Sequence, residues 1–309
     1  MIADPGSPPP ATTLKFLYIY NVALKTKSIV LTILNEAKTR LQNTGIDNPK
    51  LAAEILVASV LNCPRLELSL RRNEKLTSAQ VVAVEDGTRR LGKHEPIGYV
   101  LGHADFMGHA FKCDCRALIP RPETEELVEF VIGYEPLWQI ERPFIIDIGT
   151  GSGCIIVSLA LHRKNGNFRA IDVSADAIEL AKENARTNNL TDAIKFLTAD
   201  FDGAEIPSGM DAVVANPPYV RTADFLKLEK NVRLWEPRLA LDGGEDGLQV
   251  IRPLIQKACK ILNPGRFLFM EIGFDQWPAV KKLLAESGFH RSSVHPDCSG
   301  HNRLVMAVK

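Results

Sequence analysis

Residues 144–160 read FIIDIGTGSGCIIVSLA, and this stretch decides the fold. The run from Phe144 to Ile148 is apolar except for Asp147, which is typical of a parallel strand buried on both faces. A glycine-rich loop follows, and apolar residues at helical spacing come next. A strand, a glycine loop and a helix in this order bring backbone close to a ligand at the helix N-terminus. The loop consists of Gly149, Thr150, Gly151, Ser152 and Gly153.

The glycine loop matches neither of two common phosphate-binding patterns. A dinucleotide fingerprint places its third glycine where this chain has Cys154, and a P-loop continues into Gly-Lys-Ser/Thr, which does not follow here. A second apolar strand is predicted over residues 168–172, and it ends in Asp172. A carboxylate at such a strand end can accept both hydroxyls of a ribose, as in other nucleoside-binding sheets.

A third strand, predicted over residues 194–198, leads to Asp200 and Phe201. An acid and an aromatic ring at that strand end can hydrogen-bond the amino group of an adenine and cover its face. The alternative interpretation is an aspartate-containing turn without a role in binding.

A fourth strand, predicted over residues 211–215, is followed by Asn216-Pro217-Pro218-Tyr219. Neither proline carries an N–H, so this backbone offers carbonyl acceptors and few donors. The Asn216 side chain adds another carbonyl oxygen, and Tyr219 adds a flat ring. The set suits a planar NH2 group, whose hydrogens need acceptors and whose face needs a stacking partner. The alternative is a Pro-Pro turn after a strand.

Together these motifs resemble class I methyltransferases, which use S-adenosylmethionine, and in particular those that methylate planar nitrogens. Upstream, residues 118–127 read LIPRPETEEL and resemble the signature of the HemK/PrmC family. That run is far more specific than Asn-Pro-Pro-Tyr, which nucleic-acid amino-methyltransferases share. The resemblance extends from about Ile29 to the C-terminus. Its shorter matches are Glu95-Pro96-Ile97, Tyr99, Leu101-Gly102, Glu236-Pro237, Ala240-Leu241, Gly243-Gly244, Asp297, Gly300 and Arg303.

The HemK/PrmC family comprises protein-glutamine N5-methyltransferases that modify the Gly-Gly-Gln motif of class 1 peptide chain release factors. The resemblance implies the same reaction here, with S-adenosyl-L-methionine as cofactor and a release factor as partner. It implies an α/β fold with a Rossmann-like, mostly parallel seven-stranded sheet, a small N-terminal helical bundle that grips the release factor, and a β-hairpin linker. It also implies that the segment with Arg121, Glu123 and Glu125 borders the methionine end of the cofactor, although these could be ordinary surface charges at a helix start.

The expected active site lies at the carboxyl ends of the four strands. The Asn216 oxygen and the Pro217 carbonyl would accept the two hydrogens of the target amide, and Tyr219 would pack on its plane. These three residues are expected to be catalytic, and Pro218 completes the substrate-binding set. The residues expected to bind the cofactor are Asp147, Gly149, Thr150, Gly151, Ser152, Gly153, Asp172, Asp200, Phe201 and Asn216.

The N-terminal part divides into two predicted segments. Residues 1–28 are rich in proline, which predicts an extended, disordered start. Residues 29–95 show helical periodicity, with Asp47-Asn48-Pro49 as an N-cap and restart signal and Thr77-Ser78-Ala79-Gln80 as a capping box. In the second helix, Leu51 is expected to face the bundle core together with Ile55, Leu56 and Val60.

The remaining chain also divides into two segments. Residues 96–121 predict a β-hairpin linker with turn glycines, beginning with Tyr99-Val100-Leu101. Residues 122–309 alternate strands and helices, which predicts a parallel sheet and the methyltransferase domain. A final antiparallel pair is expected over residues 289–295 and 303–308.

The composition restricts the partners. Lys+Arg and Asp+Glu both number 37, so the net charge is zero, which argues against a protein that coats nucleic acid, and no direct DNA binding is expected. The cysteine and histidine spacings fit no common metal site, so we expect reduced thiols and no metal. No apolar run reaches the length of a membrane span. We expect a monomer in the cytoplasm, or in the mitochondrial matrix if the source is eukaryotic.

Two alternatives remain at this point. An adenine or guanine exocyclic-amine methyltransferase acting on nucleic acid would use the same Asn-Pro-Pro-Tyr, because that amine is also planar. The zero net charge and the signature at residues 120–125 argue against it. A non-enzymatic binding module of translation would keep the cofactor site, but the intact Asn216 and Tyr219 argue against that.

Overall fold

The structure, a computed structural model, describes residues 28–309. The predicted disordered segment 1–28 therefore lies, apart from Ser28, outside the described residues. The chain forms two compact units, of which the first ends at Leu101 and the second begins at Gly102.

The first unit is helical, as predicted. Its core contains Val30, Ile33, Leu41, Leu56 and Val57, all at most 2% exposed. Its elements are α1 (Val30–Gln42), α2 (Pro49–Val60), a 3-10 turn (Arg65–Ser69), α3 (Ser78–Leu91) and the short α4 (Ile97–Leu101).

The capping box at the start of α3 is confirmed. The amide of Gln80 donates to the Thr77 hydroxyl at 3.2 Å, and the amide of Thr77 donates to the Gln80 side chain at 2.9 Å. Two backbone donors of the first turn are thereby satisfied reciprocally, which fixes where the helix begins.

The restart signal is present: Asn48 is the N-cap residue of α2 and Pro49 lies in its first turn, although the Asn48 backbone is left-handed (φ 48°) and its side chain caps no amide. Two other local predictions for this region are wrong. Leu51 is 41% exposed, since the buried face of α2 runs through Ala53, Leu56 and Val57. The segment Tyr99–Leu101 belongs to α4 and not to a strand, because the amides of Tyr99 and Val100 both bond the Pro96 carbonyl.

The predicted hairpin opens the second unit. Strands β1 (His103–Phe106) and β2 (His109–Lys112) pair antiparallel. Met107 and Gly108 form the two-residue turn, and both have positive φ (51° and 75°), as a tight hairpin of the right-handed twist requires.

The rest of the second unit alternates strands and helices, as predicted. Its elements are α5 (Pro122–Gly133), α6 (Glu135–Trp138), β3 (Phe144–Ile148), α7 (Cys154–His162), β4 (Asn167–Asp172), α8 (Ala175–Thr187), β5 (Ile194–Thr198), β6 (Met210–Ala215), α9 (Thr222–Phe225), α10 (Lys230–Trp235), a 3-10 turn (Arg238–Ala240), α11 (Ile251–Ile261), β7 (Leu262–Glu271), α12 (Trp277–Glu286), β8 (Arg291–Pro296) and β9 (Asn302–Val308).

The main sheet has seven strands in the order β5-β4-β3-β6-β7-β9-β8. The five strands from β5 to β7 run parallel, and β9 pairs antiparallel with both β7 and β8, which confirms the predicted class I arrangement. Because β3, β4, β5 and β6 are parallel, their carboxyl ends meet at one edge of the sheet. The glycine loop, Asp172, Asp200 and Asn216 therefore gather at that edge.

Apolar layers cover both faces of this sheet. One layer joins Leu127, Ile156 and Leu159 of the helices to Ile145 and Phe269 of the strands. The other joins helices α11 and α12 to the opposite face of β3, β6 and β7. Burial on both faces explains why the central strands are continuous apolar runs in the sequence.

Within residues 28–309, no helix is both long enough and apolar enough to cross a membrane. In the same range, no group of three or more His, Cys, Asp or Glu side chains is arranged to hold a metal ion. All six cysteines are free thiols.

Candidate active site

A cavity of about 380 Å³ lies at the carboxyl edge of the parallel strands. Most of the predicted site residues line it: Gly149, Thr150, Gly151, Ser152, Asp172, Asp200, Phe201, Asn216 and Pro218. Four predicted site residues do not line it. These are Asp147, Gly153, Pro217 and Tyr219, each within two positions of a lining residue in the sequence.

The glycine loop presents backbone groups to the cavity. The amides of Gly149 and Thr150 donate to the Ile171 carbonyl at 2.8 and 3.1 Å, which fixes the loop to β4. Gly153 precedes α7 in the left-handed conformation (φ 80°), and no side chain caps this helix. The first turn of α7 thus has no capping side chain, and an anionic group can bind at such a helix N-terminus, although the amide of Ile156 is directed at Asp147. Gly153 also lies close to α8, because a Cβ there would stand 3.0 Å from that of Ala181.

Asp172 is already oriented by the backbone. One of its carboxylate oxygens accepts from the amide of Gly151 at 2.9 Å, and the other accepts from the amide of Ser174 at 2.9 Å. Burial raises the pKa of Asp172, and these backbone hydrogen bonds oppose the rise. Each oxygen keeps a lone pair, so the carboxylate can still accept the two hydroxyls of a ribose.

Asp147 supports the loop from beneath. Its Oδ2 accepts from the Thr150 hydroxyl at 2.7 Å, while its Oδ1 is buried without a partner. Burial raises the pKa of Asp147 to about 7; the Thr150 hydroxyl opposes this rise and the charge of Asp172 adds to it. Asp147 is fully buried, so it acts on the cavity through Thr150.

The end of β5 contributes the far wall of the cavity. Asp200 accepts from the amide of Asp202 at 3.0 Å, so its carboxylate belongs to a turn and also lines the cavity. The Phe201 ring is half-buried and packs against the core beside it. The two interpretations of this pair, turn and adenine site, are compatible in this geometry.

The Asn-Pro-Pro-Tyr segment is held by side chains from distant parts of the second unit. The Asn216 Nδ2 donates to the Thr124 hydroxyl at 2.9 Å, and Thr124 donates to Glu271 at 2.9 Å. The Tyr219 hydroxyl donates to the other oxygen of Glu271 at 3.2 Å. Arg303 lies over the Tyr219 ring, with its guanidinium carbon 6.0 Å from the ring centroid.

The ionisable groups of this network are strongly buried. Burial raises the pKa of Glu271, and the hydrogen bonds from Thr124 and Tyr219 oppose that rise. Burial is also the first cause that raises the pKa of Tyr219, followed by the charge of Glu271. Tyr219 is therefore a neutral phenol that serves as a hydrogen-bond donor.

An ion pair with a buried carboxylate supports two segments that line the cavity. Glu236 is 5% exposed, pairs with Arg121, and accepts from the amide of Ile119 at 3.1 Å. Burial raises the pKa of Glu236, and Arg121 opposes the rise. This pair joins the LIPRPETEEL segment to Glu236-Pro237, and both segments line the cavity.

Sequence reasoning missed the roles of Thr124, Glu236 and Glu271. Thr124 and Glu236 both lie inside quoted family matches, but the sequence does not say which of those residues face one another. Glu271 had a detectable signal, because it is an acid at the end of the apolar run 267–272. A charged residue in such a run is rarely buried unless it is paired.

The fold and the site define a class I S-adenosylmethionine-dependent methyltransferase. Residues 32–102 match the PrmC N-terminal domain, and residues 136–232 match the methyltransferase small domain. The residues present fit the cofactor: the uncapped start of α7 suits its carboxylate, Asp172 suits the ribose, and the wall of Asp200 and Phe201 suits the base.

Named relatives narrow this class to one family. A release factor glutamine methyltransferase of Moorella thermoacetica is 40% identical over 277 residues, covering 89% of this chain and 97% of that protein. A bifunctional methyltransferase of Rickettsia prowazekii is 34% identical over 289 residues, covering 88% of this chain and 56% of that protein, so this chain spans about half of that relative. The chain belongs to the release factor glutamine methyltransferase family.

A solved structure shares the fold. It is the hMettl16 catalytic domain in complex with the MAT2A 3′UTR hairpin 6, with a TM-score of 0.52 and 20% identity. The alignment covers 74% of this chain and 80% of that chain. At that identity the likeness extends to the fold alone.

Proposed function

We propose that this protein methylates the side-chain nitrogen N5 of the glutamine in the Gly-Gly-Gln motif of class 1 peptide chain release factors. Family membership supports the protein substrate. The observation that carries the chemistry is the orientation of Asn216: its NH2 group is bound to Thr124, so its carbonyl oxygen is left for a substrate at the cavity.

The chemical difficulty of the reaction lies in the nucleophile. The lone pair of an amide nitrogen is delocalised into the carbonyl group, so this nitrogen attacks poorly. S-adenosylmethionine, when bound, supplies a methyl group on a sulfonium. The neutral thioether that remains after transfer is an excellent leaving group. The protein must therefore hold the amide NH2 so that both hydrogens point to acceptors and nitrogen density points to the methyl group.

The Asn-Pro-Pro-Tyr segment is suited to this task. The Asn216 oxygen, at the cavity, accepts one amide hydrogen. For the Pro217 carbonyl to accept the other and for the Tyr219 ring to pack on the amide plane, both must become accessible from the cavity, which they do not line in this structure. No acid–base pair is required at the start, since a proton can leave during or after transfer. Such positioning contributes several kcal/mol to lowering a barrier, and polar groups oriented in advance add to it.

We also propose that the helical first unit recognises the release factor. Its match to the PrmC N-terminal domain supports this role. A chain that begins at Gly102 should bind cofactor and lose most of its activity on the intact release factor. If it methylates the whole factor at the full rate, the first unit has no role in recognition.

The partners follow from the same proposal. The protein acts as a monomer on a protein substrate and makes no direct contact with DNA; the zero net charge supports this. It acts in the same compartment as its release factor, which is the cytoplasm or a mitochondrial matrix. Analytical ultracentrifugation with and without a release factor tests the oligomeric state.

The decisive experiment for the substrate is mass spectrometry after reaction with labelled cofactor. A release factor and a structured RNA are offered in parallel, together with a release factor whose Gly-Gly-Gln glutamine is replaced by alanine. The proposal expects one added methyl group on that glutamine and none on the two controls. Methyl transfer to the RNA, or to another residue of the factor, would contradict it.

A further inference from the structure

Behind Asn216 lies a continuous chain of hydrogen bonds that the methyl-transfer chemistry does not itself require. It runs from the Asn216 Nδ2 to Thr124 (2.9 Å), from Thr124 to Glu271 (2.9 Å), and from Tyr219 to the second oxygen of Glu271 (3.2 Å). Arg303 donates to the Tyr219 hydroxyl at 3.4 Å. The residues come from α5, the ends of β6 and β7, and β9.

The inner members of this chain are shielded from water. Thr124 is 3% exposed and Glu271 is 2% exposed. A buried carboxylate needs hydrogen-bond donors on its oxygens, and here it receives one hydroxyl on each. The Glu271 oxygens are therefore shielded from bulk water, while Thr124 lies at the wall of the cavity.

When Glu271 is ionised, the chemistry of the members fixes the direction of every bond. An ionised carboxylate can only accept hydrogen bonds. Thr124 and Tyr219 must therefore each donate their hydroxyl hydrogen to Glu271. The oxygen of Thr124 then has only lone pairs left for Asn216. An amide offers an NH2 group and a carbonyl oxygen, and only the NH2 group can bond to such an oxygen.

We propose that Thr124 and Glu271 are positioning residues that determine which end of the Asn216 amide faces the cavity. This inference rests on the proposed role of Asn216 as an acceptor for the substrate amide. The terminal torsion of an asparagine has two nearly equivalent orientations. In the wrong one, the Asn216 NH2 group would meet the NH2 group of the substrate, and two donors cannot bond.

A purely structural role of the same contacts would have a different signature. The hydroxyl of Thr124 also links α5 to the end of β7, so its loss would lower stability in either case. A structural link affects the unfolding transition and leaves the rate of the folded enzyme unchanged. A positioning role affects the rate at saturating cofactor, and only while Asn216 is present.

The test uses the full chain with intact release factor, and it measures single-turnover rates at saturating cofactor alongside cofactor affinity. Thr124→Val keeps the size of the side chain and removes the hydroxyl, so the rate should fall by about ten- to a hundredfold, as when a buried donor loses its partner. Cofactor affinity should stay within about threefold of wild type. Thr124→Ser restores the hydroxyl and should restore most of the rate.

The matched control is Thr187→Val. Thr187 belongs to the same unit, and its hydroxyl bonds the Glu183 carbonyl at 3.0 Å on the surface of α8, away from the cavity. This variant should transfer methyl at the wild-type rate. A comparable loss of rate in Thr187→Val would mean that any missing threonine hydroxyl slows the enzyme, and the inference would fail.

A double mutant separates this inference from the proposed function. In the Asn216→Ala background, Thr124→Val should cause no further loss of rate, because Thr124 acts only through Asn216. If Asn216→Ala is slow and Thr124→Val alone is as fast as wild type, the positioning role is wrong and the proposed function stands. If Asn216→Ala is itself fast, the proposed role of Asn216 is wrong.

Glu271→Gln gives an independent variant should Thr124→Val fold poorly. Glutamine offers one acceptor and one NH2 group in place of two acceptors, so one of the two hydroxyls loses its acceptor. We expect a rate loss of about tenfold or more with cofactor affinity within about threefold. A wild-type rate in a folded Glu271→Gln protein would overturn the inference.

Discussion

The ends of β3 and β6 lie next to each other at one edge of the sheet, yet they build their parts of the site in opposite ways. The β3 end offers donors in the uncapped first turn of α7, while most amides of its glycine loop are bonded within the protein, to Ile171, Asp172 and Thr150. The β6 end offers acceptors, because Pro217 and Pro218 have no N–H and Asn216 turns its NH2 group away. The first arrangement suits an anionic cofactor end, and the second suits an NH2 group.

The two ends also differ in the sequence distance over which they are supported. At the β3 end, Asp147 bonds a residue three positions away, and Gly151 bonds Asp172 21 positions away. At the β6 end, the bonds from Asn216 to Thr124 and from Thr124 to Glu271 span 92 and 147 positions. The proposed cofactor side thus depends on contacts closer in the chain, whereas the proposed substrate side exists only once the whole second unit has folded.

The largest effect should come from the β6 end. Asn216→Ala removes the acceptor and should lower the rate of methyl transfer to release factor by at least about a hundredfold, the scale seen when one preorganised polar group is lost. Asn216→Asp keeps an acceptor oxygen and should retain more activity than the alanine variant. Single-turnover kinetics check both, with Asn165→Ala, an exposed asparagine outside the cavity, as the control.

At the β3 end, the next largest effect concerns stability and pH. Burial raises the pKa of Asp147 to about 7, so the folded protein holds this proton more tightly than the unfolded chain does. The stabilising contribution of this proton is therefore present at low pH and is lost as pH rises through about 7. Between about pH 5 and about pH 8 the wild type should lose roughly 2–3 kcal/mol relative to Asp147→Asn. Denaturant unfolding of both proteins without cofactor measures this, and parallel pH curves would refute it.

The third prediction concerns cofactor affinity in the Asp172→Ala variant. Hydrogen bonds to a charged group are worth roughly 1.5–3 kcal/mol, so cofactor affinity should weaken by about ten- to a hundredfold or somewhat more. Calorimetry measures the affinity, and Asp192→Ala, an exposed aspartate outside the cavity, should bind cofactor like the wild type. Unchanged affinity in folded Asp172→Ala would remove Asp172 from the cofactor site.

The smallest predicted effect tests how closely the glycine loop is packed. Gly153→Ala puts a side chain into a left-handed backbone and within 3.0 Å of the Ala181 Cβ. Gly265 has a similar φ (76°) with nothing within 4 Å of its position, so Gly265→Ala isolates the backbone cost of about 1–2 kcal/mol. Thermal unfolding should show a larger loss for Gly153→Ala. Equal losses would mean that the contact between α7 and α8 adapts freely.

The sequence was sufficient where structure is determined locally. The strands were predicted to within a few residues, because burial on both faces leaves continuous apolar runs. The glycine loop could be predicted because its glycines follow one another directly after the strand, and Gly149, Gly151 and Gly153 all adopt positive φ. The capping box at Thr77 was correct for the same reason.

The sequence was not sufficient to predict burial, local structure or side-chain pairing where these depend on residues distant in the chain. Leu51 fits the helical period of α2, but the neighbouring helices bury another face. Tyr99–Leu101 had strand-like composition, yet the carbonyl of Pro96 starts a helical turn there. Thr124 and Glu271 reach Asn216 only through the folded sheet, so no spacing rule could have paired them.

The most direct test of this account measures rate and affinity side by side for Asn216, at the β6 end, and for Asp172, which ends β4 and bonds the glycine loop that follows β3. Single-turnover rates at saturating cofactor and calorimetric cofactor affinities are determined for Asn216→Ala and Asp172→Ala. We expect Asn216→Ala to lose at least about a hundredfold in rate while its affinity stays within about tenfold. Asp172→Ala should lose affinity and keep most of its rate once the cofactor is saturating. If Asn216→Ala transfers methyl at nearly the wild-type rate, the β6 end does not hold the substrate amide and Asn-Pro-Pro-Tyr is only a turn.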